Sequence, residues 1–92
     1  MFAALTAALL HSEYARAQGM PCAPREQLVQ VLTSEHKEQQ EGQGLAPNGT
    51  IVELFVSPAG SWTILLSRPD GVSCIAAGGT DWEPAPVQKS AA

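Results

Sequence analysis

The chain predicts a small α+β domain: one N-terminal helix packed on a three-stranded antiparallel β-meander and stapled by a disulfide. Three observations carry that expectation. An apolar stripe at helical spacing follows Pro24, three short β-runs are joined by two matching Pro-x-Gly turns, and the two cysteines, Cys22 and Cys74, bracket all of it. The organisation read from these is a signal peptide over 1–17, one domain over 18–82 and a flexible Pro, Ala and Ser tail over 83–92.

Phe2 to Leu10 is an unbroken run of small and apolar residues, and Ala15-Arg16-Ala17 behind it has the small-x-small spacing of a cleavage site. At about 1.5 Å per helical residue the run reaches less than half of a roughly 30 Å hydrocarbon core, so it reads as the h-region of an export signal and not as a span. Met1 leads straight into Phe2 without the Lys or Arg that opens a secretory signal, which places the expected start upstream. Removal of this segment takes one acid, Glu13, and one base, Arg16, and leaves the formal charge of −4. That balance gives no basic surface for nucleic acid or anionic membranes. The expected location is periplasmic or secreted, with no membrane association after signal removal.

What remains is about 75 residues, near the size at which one core barely outweighs chain entropy. A covalent staple then matters. Two cysteines allow one intramolecular pairing, and an oxidising compartment makes it the default. Neither CxxC nor CxxCH spacing is present, and a metal site built from Cys22, Cys74 and His36 lacks a fourth ligand.

Pro24 suits a first helical turn and Glu26 the positive end of the helix dipole. Leu28, Val31 and Leu32 at i, i+3 and i+4 make the apolar stripe, with Val29 widening it. From Thr33 to Gln43 no large apolar residue appears, so the last helical turns are expected to project into water until Gly42 and Gly44 end them. Leu45 to Gly49 reads as a connector. The β-runs are Thr50 to Val56, Trp62 to Ser67 and Val72 to Ala77. Pro58-Ala59-Gly60 and Pro69-Asp70-Gly71 between them each start a type I turn at proline and close it with a glycine at positive φ, giving hairpins with three-residue loops and a glycine bulge.

That turn type sets the register: Val56 opposite Trp62, Leu54 opposite Ile64, Val52 opposite Leu66, then Leu66 opposite Cys74 and Ile64 opposite Ala76. One face is then wholly apolar (Val52, Leu54, Val56, Trp62, Ile64, Leu66, Cys74, Ala76) and is expected to receive the helix that carries Cys22, with Trp62 as a packing anchor. The other face holds Glu53 as a solubilising charge together with Ile51, Phe55, Leu65 and Ile75. Uncovered, those four and Trp82 form the candidate partner surface, unless Trp82 and the tail fold over them.

Catalytic signals are weak. Ser34-Glu35-His36-Lys37 fits S-x-x-K, but it lies on a polar helix end and lacks the companion motifs of enzymes that use it. Glu53, Asp81 and Glu83 have no evident cleft to flank, and Gly42-Gln43-Gly44 and Gly78-Gly79 do not continue into phosphate loops. Asn48-Gly49-Thr50 is a turn signal that also fits a glycosylation sequon. No catalytic residue, metal ligand or cofactor is expected, and the chain is read as a non-enzyme.

Pro21-Cys22-Ala23-Pro24-Arg25, Gly60-Ser61-Trp62-Thr63 and the hairpin Arg68-Pro69-Asp70-Gly71-Val72-Ser73-Cys74 resemble a family of small uncharacterised exported proteins of proteobacteria. The resemblance runs over most of the mature region. It implies export and the Cys22 to Cys74 pair, and it brings no activity or ligand. The uncovered apolar residues and the lack of a catalytic constellation place the expected function in the class of exported, non-enzymatic interaction or accessory proteins, acting by self-association as a homodimer or on a protein partner. A secreted inhibitor of a foreign or periplasmic enzyme, inserting a hairpin tip or Trp82, is the alternative.

Overall fold

Three copies of one turn organise the described part of the chain, residues 19–86 of a computed structural model. In each a proline opens the loop, a glycine closes it at positive φ (Gly49 +86°, Gly60 +99°, Gly71 +91°), and the flanking residues pair. The closing bonds match: Ala46 N–H donates to Thr50 O at 2.8 Å, Ser57 to Ser61 at 2.9 Å, and Arg68 to Val72 at 2.9 Å. The second and third are the two hairpins the sequence predicts. The first is additional. Leu45 to Gly49, expected as a connector, holds a hairpin turn of the same kind over Ala46-Pro47-Asn48-Gly49-Thr50, and Asn48 Oδ1 accepts the Thr50 amide at 3.0 Å.

The sheet consequently has five strands instead of the three expected. These are β1 (Cys22–Pro24), β2 (Gln39–Leu45), β3 (Ile51–Val56), β4 (Trp62–Ser67) and β5 (Val72–Gly79), with one helix, α1 (Arg25–Ser34), between β1 and β2. Their order is β1-β5-β4-β3-β2, and every neighbouring pair is antiparallel. The α+β class and the disulfide hold, but the helix is preceded by a strand and is shorter than expected. The signal peptide over 1–17 and the tail beyond residue 86 lie outside the described residues.

The helix stops at Ser34 for local reasons. Thr33 Oγ1 and Ser34 Oγ donate back to the carbonyls of Val29 and Gln30 at 2.9 and 2.6 Å, which competes with helix continuation. Lys37 then turns the chain at φ +58°, and its ammonium donates to the Ser34 carbonyl at 2.8 Å, satisfying the negative end of the helix. The polar stretch from Gln39 onward, freed from the helix, pairs with β3 as an edge strand whose residues are all exposed.

The predicted register holds from Val52 opposite Leu66 to Val56 opposite Trp62, and for Leu66 opposite Cys74. It fails past Leu65. Leu65 faces Ile75 but Ile64 faces Ala77, so Ala76 is a bulge and not the partner of Ile64.

The face that the helix covers is the reverse of the one expected. Leu32 packs with Phe55 and Leu65, joined by Leu28, Val29 and Ile75, so the core lies on the side of β3, β4 and β5 that carries Glu53, Phe55, Thr63, Leu65, Ser67 and Ser73. Topology explains this. Four antiparallel pairings separate β1 from β2, so these two run parallel at opposite edges, and α1 is the crossover between them. A crossover between parallel strands takes one hand almost always, whichever face is the more apolar. Ten residues of helix span about 15 Å against a five-stranded sheet roughly 24 Å wide, so α1 serves one face and no more.

Candidate interaction surface

Cys22 and Cys74 are directly paired residues of neighbouring strands, and their sulfurs are joined at 2.05 Å. The staple therefore ties the edge strand β1 to β5 within the sheet, not the helix to the sheet. It also removes both thiols from any metal site with His36, whose side chain is exposed. Among the described residues no three His, Cys, Asp or Glu side chains gather as a metal group.

Of the sequence-predicted surface residues, Phe55 at 2 % exposure and Leu65 at 0 % lie beneath the helix, and Ile75 packs against them. Ile51 is half-buried on the same side. None of these four is an open contact patch. The helix that was expected to hide the other face covers this one. Trp82 alone of the set is exposed, and it folds back: its ring lies 5.7 Å from that of Trp62, and its amide donates to Gly60 O at 2.8 Å.

The covered face contains a polar row that sequence reasoning misplaced. Glu53, expected to solubilise an outer face, is 1 % exposed. Its Oε1 accepts Arg25 Nη2 at 2.6 Å and Gln40 Nε2 at 2.8 Å, and its Oε2 accepts Arg25 Nε at 3.0 Å and the Ser67 hydroxyl. The proton of Ser67 is thus committed to Glu53, and Ser73 Oγ, 2.6 Å away, donates to Ser67. A signal existed in the sequence: a lone acid inside an apolar run, with the serines of two facing strands beside it. The Arg25 fork, first among several causes, holds the Glu53 carboxyl below the usual range, with Ser67 adding to it against the opposing effect of burial.

This chain of bonds satisfies the buried polar groups of Glu53, Ser67 and Ser73 and ties them to stability. A pH dependence follows. Because the folded-state value is depressed, the stabilisation is complete above the unfolded Glu value of about 4.3 and is lost as pH falls below it. Glu53→Gln is expected to cost about 1–3 kcal/mol at neutral pH, since Arg25 is half-exposed and can rehydrate. The gap to wild type should narrow below about pH 4 in urea titrations; a gap independent of pH would contradict the assignment.

No helix or strand among the described residues lies over the other face of the sheet. Val52, Leu54 and Val56 of β3 alternate with Trp62, Ile64 and Leu66 of β4 in three facing apolar pairs. All are only partly buried, and Val52 is 38 % exposed. Trp62 is held at one end by its indole N–H donating to Thr80 O at 3.2 Å and by the Trp82 ring. The flanks are bare. On β2, Gly42 and Gly44 sit opposite Leu54 and Val52 with nothing within 4 Å of where a Cβ would be, and on β5 Gly79 lies under the Trp62 ring.

No protein-family model, curated protein or solved structure matches the chain. Geometry is therefore the ground for any functional reading. The S-x-x-K residues do not converge: Ser34 donates to Gln30 O at 2.6 Å, and Lys37 reaches the Ser34 carbonyl, not its hydroxyl. Asp81 and Glu83 are exposed beyond β5, whereas the carboxylate of Glu53 is buried. No helix among the described residues is long and apolar enough to cross a membrane.

Proposed function

We propose that this chain is an exported, non-enzymatic interaction domain whose working surface is the open face of Val52, Leu54, Val56, Trp62, Ile64 and Leu66. One observation carries the reading: among the described residues the more apolar face of the sheet has no covering layer, while the face with Glu53, Ser67 and Ser73 lies under the helix. A contiguous apolar patch of a few hundred Å² is often a functional contact surface. The Cys22–Cys74 disulfide supports export, because such bonds persist in oxidising compartments. In this reading the periplasm or the extracellular space is where the protein acts.

The inhibitor alternative has less behind it. Trp82 is engaged with Trp62, and the Pro58 to Gly60 tip is tied to the Trp82 amide, so neither presents a free probe for a foreign cleft. A photo-reactive amino acid at Ile64 is expected to crosslink in the native compartment, and the same group at Glu26 on the exposed side of α1 is not. Equal yields at the two positions, or none at Ile64, would defeat the reading.

A further inference from the structure

We infer that the occupant of the open face is a second copy of this chain, stacked sheet on sheet to form a two-layer sandwich. The inference rests on the proposed role of that face and adds its partner.

The centre of the face is uncharged. Its central positions on β3 and β4 are six apolar side chains in a regular ladder, with no acid or base among them. A surface of that kind offers an oppositely charged partner nothing to pair with, yet meets its own copy without like-charge contact. A net charge of −4 also disfavours an anionic membrane as the occupant. A second pleated layer packs on such a surface at about 10 Å. Such close approach needs low flanks, and the open-face positions of β2 at Gly42 and Gly44 have no side chains.

Size agrees with a reversible contact. Five strands at about 4.8 Å and about six residues at 3.4 Å give a face of roughly 24 by 20 Å, so two copies bury on the order of 1,000 Å². That lies at the lower bound of specific interfaces. The association is expected to be weak, with half-dimerisation at about 10 to 100 µM, that is about 10⁻⁵ to 10⁻⁴ M.

Sedimentation equilibrium of the oxidised chain from about 10 µM to 1 mM tests this. The expected average mass rises from one chain toward two. Ile64→Glu, and independently Val52→Glu, should weaken association at least about tenfold, while Glu26→Gln on the helix leaves it unchanged. Two results overturn the second-copy occupant. One is a dimer that survives both face variants, which would place the contact elsewhere, such as the β2 edge. The other is a monomer throughout. In that second case a soluble paramagnetic probe separates the inferences: broadening of the Leu54 and Ile64 methyl signals leaves the interaction reading standing without self-association, and shielded methyls in the monomer remove both.

Discussion

Leu65→Glu is expected to abolish the cooperative thermal transition, while Ile64→Glu, one position earlier on the same strand, keeps it. The pair sits at the boundary between the two faces of one sheet. Leu65 is fully buried between β3, β5 and the helix, where it meets Phe55 and Leu32. Removing a buried leucine side chain costs about 2–5 kcal/mol, and placing an unpaired carboxylate in the gap adds several more. Against a total stability of about 5–15 kcal/mol for a domain of ordinary size, that is enough to unfold it. Ile64 is half-buried with its outer side in water. A glutamate there loses some cross-strand packing with Leu54 and some β-propensity, about 1 kcal/mol in sum. Circular dichroism melts of the two variants decide the question. If Ile64→Glu unfolds and Leu65→Glu melts cooperatively, the helix lies on the opposite face from the one described and the open-face reading falls with it.

The same pair of residues shows where sequence reasoning reached and where it stopped. Turn chemistry is local, so Pro58 to Gly60 and Pro69 to Gly71 fixed both hairpins and, through them, which residues share a face. Pro47-Asn48-Gly49 carries the same signature and was legible by the same rule; the polar, glycine-containing strand before it hid the hairpin, because Gln39 to Leu45 has none of the β-branched or aromatic content that marks a strand. Its pairing with β3 supplies what its composition lacks. Which face the helix covers is a different kind of fact. It depends on β1 and β2 being parallel strands at opposite edges, and neither strand was foreseen. Counting apolar residues then pointed to the wrong side. Glu53, Ser67 and Ser73 can occupy the covered face only because Arg25 and Gln40 complete their hydrogen bonds, and that convergence of separate elements is invisible until the topology is known.

Replacing both Cys22 and Cys74 by serine is expected to lower the stability of the oxidised protein by roughly 4 kcal/mol, from the loop-closure entropy of a cross-link of this span. The span is 52 residues and encloses α1 and the strands β2 to β4, so nearly every ordered segment of the unfolded chain is freed by its loss. In a domain this small each kcal/mol moves the midpoint by about 4–8 °C, which makes the shift roughly 15–30 °C. The pattern of loss is as diagnostic as its size. β1 is three residues long, and its backbone ties to the β5 side are few, among them the Ile75 amide to Pro21 O at 2.9 Å, with Arg25 N–H to Gly71 O at 2.9 Å just beyond its end. A strand that short does not hold an edge unaided, so amide exchange at Ile75 and Arg25 should accelerate toward the unprotected rate while Leu54 and Leu65 in the sheet centre keep the protection of the global transition. Because α1 begins at the residue after β1, the loosened edge also frees the N-terminal end of the helix and weakens the Arg25 fork on Glu53. The double variant should therefore lose part of the acid dependence assigned to Glu53. A melting point within a few degrees of wild type, or exchange that accelerates equally at Leu54 and Ile75, would show that the edge strand stands without its covalent tie.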